Sequence, residues 1–342
     1  IMAHAGVWGG ALTASGTLNF ERWTLDRGEL NAGIWGEGYV DRRHPHTFVH
    51  ELVATVQGRM LGLDMSVTGG KGFAPFGTDD PMVRPFVKYP ANHHLAQILE
   101  RGVLIAAVRR GALLLEGGIF NGDEPSTPSD FVSWDRFGDS WSARATLLGS
   151  GGSELSGSYA FVASPEFPAG SGLDHRKWSV AARSETERGY TLLEWARTDE
   201  YIETERAARY STLLGERAFR RGGTVFAIRH ERTLRPEEER LENRFRSPRP
   251  HSDVHILGAT RWNITSVAMS GASGSVRPFV EVGRARVTET LGSLVFDPAE
   301  FYGSNRLWSL SAGIRVEAGR VHRRMGRYGA ATPAQADGHP HH

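Results

Sequence analysis

Apolar and polar residues alternate along most of this 342-residue chain. Between residues 12 and 20 apolar or small side chains stand at the even positions and polar side chains at most odd ones, and the same period recurs in 61–68, 141–147 and 308–317. Successive side chains of a β-strand point to opposite faces, so a period of two predicts strands with one apolar and one polar face. The pattern therefore predicts an all-β fold.

The connections between the alternating segments fall into two classes. Fourteen candidate strands lie between residues 12 and 318, joined in turn by tight turns and by long loops near 25–46, 70–101, 122–139, 164–175, 199–209, 234–253 and 288–305. This organisation is typical of a closed antiparallel transmembrane β-barrel with short periplasmic turns and long extracellular loops. We expect about 14 strands (range 12–16), forming one barrel domain over residues 1–330 and followed by a disordered tail, residues 331–342.

Composition narrows the alternatives. Lys and Arg number 40 against 39 for Asp and Glu, which argues against a nucleic-acid partner, and the absence of Cys excludes disulfides and thiolate metal sites. Aromatic residues near strand ends, among them Trp141, Tyr190, Trp262 and Trp308, would form interfacial girdles in a membrane. A soluble β protein with these residues in its core remains the alternative. We expect any export signal to lie upstream of residue 1 or to have been removed.

The same alternation predicts which side chains face the water-filled interior of the barrel. Charged side chains facing lipid at mid-membrane cost about 2–4 kcal/mol, so the polar face should turn inward. The predicted pore-lining residues are Thr17, Glu21, Asp64, Ser66, Arg144, Arg183, Arg277, Glu281, Arg315 and Glu317.

The loop from Gly72 to Glu100 is more apolar than an exposed loop should be. A barrel of this size is wide enough to admit such a loop. We expect Phe73, Phe76 and Phe86 to pack against the inner wall or the upper rim as a constriction.

Enzyme motifs fail at specific positions. The HELVA sequence that begins at His50 lacks the second histidine of a zinc protease, and neither a GxSxG nor a phosphate-binding GxxxxGK[ST] sequence occurs. We expect no enzymatic activity; a hydrolase embedded in the barrel is the less favoured alternative, because a Ser–His arrangement depends on geometry. By parity His50 should face lipid, while Glu51 faces the interior.

Two histidine pairs could hold a metal ion. His44 and His46 precede the second candidate strand, and His93 and His94 lie in the longest loop. Imidazole suits Zn²⁺ and Cu²⁺, so a Zn or Cu site is one interpretation, and polar residues that shape the mouth are the other. No other cofactor is expected.

Several motifs carry a family resemblance. DRRHPHT (residues 41–47), GFAPFGTDDPMVRP (72–85), NHHLAQ (92–97), FNGDEP (120–125) and RMGRYG (324–329) together resemble a poorly characterised family of Gram-negative porin-like outer-membrane proteins. The resemblance implies a barrel, an outer-membrane location and a hypothetical metal-linked role. The family typically reads DRQHPHD at the first motif; Arg43 and Thr47 depart from it, and the second change removes a carboxylate beside the histidines.

The function predicted from these features is a porin-like channel for passive passage of small solutes or ions, in contact with outer-membrane lipid and lipopolysaccharide. The alternative is a plugged barrel that is associated with metal or handles hydrophobic compounds.

Overall fold

The computed structural model describes residues 1–20, 47–78, 84–90, 96–98, 100–125, 129–165, 167, 170–238, 256–272, 274–292, 299, 303–316, 318 and 324–332. Fifteen strands occupy most of this part of the chain. They are β1 (Met2–Val7), β2 (Leu12–Leu18), β3 (Val49–Met60), β4 (Leu63–Gly72), β5 (Arg101–Arg110), β6 (Leu113–Phe120), β7 (Ser140–Leu148), β8 (Ser153–Val162), β9 (Asp174–Thr186), β10 (Gly189–Ile202), β11 (Glu205–Arg221), β12 (Thr224–Glu238), β13 (Ile256–Gly271), β14 (Val276–Gly292) and β15 (Arg306–Val316).

The strands form one sheet in chain order, each antiparallel to the next. The all-β antiparallel fold is therefore confirmed, with a strand count inside the expected range. The additional strand is β1, which pairs with β2. The predicted loop 199–209 is wrong in extent, because β10 and β11 continue their pairing to Ile202 and Glu205. A long hairpin stands there instead.

The two faces of the sheet differ as the alternation predicted. On β5, for example, Leu104 is 45% exposed, whereas its neighbours Val103 and Ile105 are buried. Exposed large apolar side chains of this kind occur on β3 to β7 and on most strands up to β15. Trp141 and Trp308 belong to the exposed face, but Trp262 and Tyr190 lie on the buried face, so the expectation of a girdle role is wrong for those two residues.

Two irregular segments lie against the other face of the sheet. We call residues 73–78, 84–90 and 96–98 the inner segment and residues 324–332 the C-terminal segment. The inner segment hydrogen-bonds to side chains of β8, β10 and β14, and the C-terminal segment to side chains of β3, β4, β6 and β8. Strands so far apart in the sheet can reach one central segment only if the sheet curls around it. The face that the two segments contact is the interior, or lumen.

The edge strands approach each other on this interior side. Met2 of β1 and Arg315 of β15 line the same cavity. Within the described residues no backbone pairing joins β1 to β15. The seam between β1 and β15 therefore lies beside this cavity.

A bulge displaces His50 from the predicted face. The β2–β3 register shifts between Thr17, which pairs with Glu51, and Leu18, which pairs with Val49, so His50 is the extra residue. An unpaired extra residue reverses the parity of the strand beyond it. His50 is consequently fully buried, contacts Glu100 and packs edge-on against Phe73, which corrects the expectation that it faces lipid.

No helix of the described residues is long and apolar enough to cross a membrane. Ala331 is buried, so the folded part reaches two residues into the predicted tail. Residues 333–342 lie outside the described residues.

Candidate functional site

The lumen is the candidate site, and most of the predicted pore-lining residues have a described position in it. Thr17, Ser66, Arg144, Arg183 and Glu281 are buried on the inner face, and Asp64, Arg277 and Arg315 are half-buried with the same parity. Glu21 and Glu317 lie outside the described residues. That these side chains line a conducting path stays a prediction.

The inner segment is anchored to the wall farthest from its own attachment points. Arg229 of β12 donates to the carbonyl oxygen of Lys88 at 2.7 Å, and its guanidinium lies 4.4 Å from the ring centre of Phe86. The backbone N–H of Val87 donates to Glu281 of β14 at 2.6 Å. Charge-assisted hydrogen bonds of this kind are about twice as strong as neutral ones. They hold residues 84–90 against β12 and β14.

A second group of contacts fixes the start of the inner segment. The N–H of Gly77 donates to Ser158 of β8 at 2.9 Å, and the hydroxyl of Thr78 donates to Glu194 of β10 at 2.5 Å. Arg84 in turn donates to the Thr78 hydroxyl at 3.1 Å. Gly77 has φ +63°, and a Cβ there would lie 1.6 Å from the carbonyl oxygen of Ala96, so only glycine allows this approach of the chain to itself.

The three phenylalanines predicted to form a constriction are all buried. Phe73 and Phe86 are 3% exposed and Phe76 is 2% exposed. Phe73 and Phe76 pack with Ile98, Phe120 and Val162 in one apolar cluster, and Phe86 packs in another with small residues of β11, β12 and β13. The inner segment thus carries its own core, which explains its apolar composition. Its effect on passage through the lumen stays a prediction.

Burial changes the ionisation of Lys88 in this segment. Desolvation lowers the pKa of Lys88 from 10.5 to about 8, and the nearby Glu281 carboxylate opposes the shift. Near neutral pH the amine therefore holds its proton at a cost in free energy.

The C-terminal segment is held by a buried charge cluster. Glu116 of β6 accepts two hydrogen bonds from Arg144 of β7, both at 2.6 Å, and one from Arg327 at 3.0 Å. Arg144 also donates to the carbonyl oxygens of Gly77 and Gly326, at 3.2 and 3.0 Å. This guanidinium joins both irregular segments to the wall. Burial, together with Arg144, lowers the pKa of Arg327 to about 10.

Further bonds continue along the C-terminal segment. Tyr328 donates to Glu51 at 2.9 Å and accepts from the N–H of Phe73 at 3.1 Å, and the N–H of Ala330 donates to Ser66 at 3.0 Å. Burial and the Glu51 carboxylate raise the pKa of Tyr328 well above 10, so this hydroxyl keeps its proton as donor. Gly329, with φ +52°, lies so close to Ser66 that a Cβ would come within 2.4 Å.

A third cluster lies where β3, β4 and β5 meet their long loops. Glu100 contacts His50 and accepts from the N–H of Thr47 at 3.2 Å. Lys71 donates to the hydroxyl of Thr47, and Arg101 donates to Glu124 at 2.8 Å. Thr47 is therefore a hydrogen-bonding residue of this cluster.

The two segments leave part of the lumen empty. One cavity of about 560 Å³ is lined by residues of β1, β2 and β3 and by the C-terminal segment. Another of about 480 Å³ lies at the short-turn end, between Pro85 of the inner segment and residues of β9, β10, β11, β14 and β15. Met2 lines both cavities. They therefore adjoin along β1.

The predicted metal ligands have no described position. His44, His46, His93 and His94 all lie outside the described residues. Elsewhere, the described part of the chain contains no group of three or more His, Asp or Glu side chains placed to hold a metal ion. Zn or Cu binding by the four histidines stays a prediction.

Sequence reasoning missed the C-terminal segment and the residues that bind it. Glu51 was expected inside, and the same parity would have placed Glu116 and Glu154 there. Their partners Arg324, Arg327 and Tyr328 lie after the last strand, where no period indicates a position. The RMGRYG sequence, which combines basic residues with two glycines of positive φ, was the available signal.

Comparisons with known proteins gave structural similarities only. No protein-family model matches the chain, and no curated protein matches it in sequence. Among solved structures, a porin refined at 1.8 Å resolution is 10% identical, with a TM-score of 0.47 and coverage of 91% of this chain and 89% of that one. OmpT, an outer-membrane protein of Vibrio cholerae in its trimer form, is 9% identical (TM-score 0.48; 91% and 88% covered), and OpdL of Pseudomonas aeruginosa is 11% identical (0.37; 92% and 86%). At TM-scores below 0.5 these similarities decide neither the fold nor the function of this chain.

Proposed function

We propose that this protein is an outer-membrane β-barrel that acts as a narrow, passive channel for small solutes or ions. The observation that carries the proposal is the pair of adjoining cavities, of about 480 and 560 Å³, beside the two irregular segments. The path runs through these two cavities, which meet at Met2 of β1. Passage is narrow because both segments lie inside the lumen and are bonded to its wall on several sides.

The exposed face supports a membrane location. Leu213, Leu193 and Leu310 are 56, 57 and 74% exposed, and many other apolar side chains share this face. Exposed apolar surface on this scale is unusual for a soluble monomer and suits contact with hydrocarbon. Since a spanning sheet must satisfy its backbone groups internally, the antiparallel pairing of successive strands fits the same setting.

Arginines beside aromatic rings support contact with lipopolysaccharide at the long-loop end. Arg176 lies 4.1 Å from the ring centre of Tyr201. Arg197 lies 5.0 Å from that of Trp178 and also donates to the Asp199 carboxylate at 2.8 Å, so Arg176 carries this argument. Aromatic rings are favoured at the membrane interface, and guanidinium groups bind phosphate. The phosphorylated headgroups of the outer leaflet are the ligands that this arrangement suits.

Conductance in planar lipid bilayers tests the proposal. The purified protein should produce discrete steps of current, smaller than those of an open porin measured in the same salt. Protein that inserts, as shown by heat-modifiable migration on gels, but gives no steps would contradict the channel and favour a plugged barrel.

A second candidate function rests on one contact. His4 Nδ1 lies 2.9 Å from the hydroxyl oxygen of Ser15, the residue directly opposite on β2, and both line the cavity of about 560 Å³. A Ser–His contact is the starting point of acyl-transfer chemistry, but the pair alone supplies neither the orienting acid nor the oxyanion donors. Labelling by a fluorophosphonate probe, lost in Ser15→Ala, would favour a hydrolase; no labelling would leave the contact a cross-strand hydrogen bond.

A further inference from the structure

Two arginines face each other across β14 and β15. Arg277 and Arg315 are cross-strand partners, and both are half-buried on the inner face. Their neighbours Val276 and Val316, also partners, are 59 and 71% exposed on the outer face. Directly opposed residues of an antiparallel pair have Cβ atoms about 4.5–5.5 Å apart, and like charges at such positions are destabilising. The strands thus hold two cations together at the inner wall.

The pair lines the cavity of about 480 Å³ together with two further arginines. Arg188, in the β9–β10 turn, and Arg220, at the end of β11, line the same space, and the N–H of Arg220 donates to the carbonyl oxygen of Arg188 at 2.6 Å. The described lining also contains Glu185 and Glu187. Four arginines against two glutamates leave a net positive lining, and Glu185 is bonded to Arg183 at 2.9 Å.

We propose that Arg277 and Arg315, supported by Arg188 and Arg220, form a binding site for small oxyanions at the short-turn end of the lumen. A guanidinium presents donors in a planar fork that matches carboxylate and phosphate oxygens. Arg277 also donates through Nε to the carbonyl oxygen of Gly274 at 3.2 Å, which holds its guanidinium at the short-turn end. Rings of arginine select anions in pores.

The position of the site gives it a role in the proposed channel. This role, unlike the binding site itself, rests on the proposed function. Pro85 of the inner segment lines the same cavity, so the arginines stand where the inner segment narrows the lumen. A solute that crosses this cavity must pass the arginines. The site therefore favours anionic solutes over cations of equal size.

Inorganic phosphate is the probe for the test. Isothermal titration calorimetry of the detergent-purified protein should give a dissociation constant that weakens by at least about tenfold in the double variant Arg277→Gln/Arg315→Gln, since both guanidinium groups lose their charge-assisted bonds to the anion. The matched control is Arg59→Gln/Arg110→Gln, which removes two arginines from the short-turn ends of β3 and β5, outside the cavity lining. It should change the constant by less than about twofold.

Bilayer recordings under a potassium chloride gradient separate the inference from the proposed function. Wild type and control should show a chloride-selective reversal potential that the double variant loses. Phosphate binding without any conductance would overturn the channel and leave the oxyanion site standing. Conductance with no phosphate binding, or binding equal in wild type and the double variant, would overturn the oxyanion site.

Discussion

Replacing Glu116 by Gln should release the C-terminal segment from the lumen. Glu116 accepts hydrogen bonds from both Arg144 and Arg327, and all three side chains are 2% exposed or less. Glu116→Gln preserves the shape of the side chain but leaves two buried guanidinium groups beside a neutral amide. Breaking a buried ion pair in this way costs about 3–5 kcal/mol.

This cost is large compared with the neutral hydrogen bonds of the segment. Single hydrogen bonds such as that from Ala330 to Ser66 contribute about 0.5–1.5 kcal/mol each. A loss of about 3 kcal/mol raises the released fraction by about two orders of magnitude. Trypsin cleaves after arginine, so the rate of cleavage after Arg324 and Arg327, followed by mass spectrometry, measures that fraction when opening is fast relative to cleavage.

The matched control is Glu185→Gln. Glu185 is bonded to Arg183 but is 51% exposed, so its loss should cost less than about 1 kcal/mol and leave cleavage of the segment nearly unchanged. Heat-modifiable migration on gels verifies that each variant retains its barrel. Equal cleavage rates in wild type and Glu116→Gln would refute the claim that the buried charge cluster holds the segment.

Three further outcomes follow from the same contacts. Phe86→Ala should lower the free energy of unfolding by about 3–5 kcal/mol, because it empties a buried site under Arg229; an unchanged urea midpoint would contradict this. Between pH 8 and 10.5 Lys88 should add up to about 3 kcal/mol of stability with rising pH, since the folded lysine has released its proton and the unfolded lysine has not. Buried Lys71, whose pKa is also lowered to about 8, adds a gain of the same sign. Lys88→Met should therefore reduce the gain without abolishing it, and an equal gain in both proteins would disprove the role of Lys88. Gly329→Ala should displace the C-terminal segment and increase conductance, because the added Cβ would lie 2.4 Å from Ser66. Gly222→Ala, at a similar φ of +58° but with no atom near the added Cβ, should leave conductance unchanged. Equal effects of the two changes would show that backbone strain, and not the contact with Ser66, is the cause.

The strands were largely predictable because their signal is repeated and local. Each segment needs one apolar face, and the period of two shows that face directly. β1 was missed because its sequence, MAHAGV, is short and has small residues where large apolar ones would mark a face. The extension of β10 and β11 was missed because the hairpin beyond the apolar part, around Ile202 and Glu205, carries polar residues on both faces.

The site was predictable only where parity or composition determines position. Parity placed Arg144 and Glu281 on the inner face, and composition marked the inner segment as buried. Parity failed at His50, because a bulge depends on the register with the neighbouring strand. It could not place Arg327 either, because the fold of an irregular segment depends on partners distant in sequence, such as Glu116.

Accessibility along β15 tests the central claim, a membrane-spanning sheet with water on its inner face. The chain contains no cysteine, so a single introduced cysteine is the only thiol. Ser309 and Ser311 stand on the inner face of β15, and Leu310 and Ala312 on the outer face. In proteoliposomes a membrane-impermeant methanethiosulfonate should modify cysteines at 309 and 311 but not at 310 and 312, which a lipid-soluble maleimide should reach instead. Modification of all four by the impermeant reagent at similar rates would contradict the account.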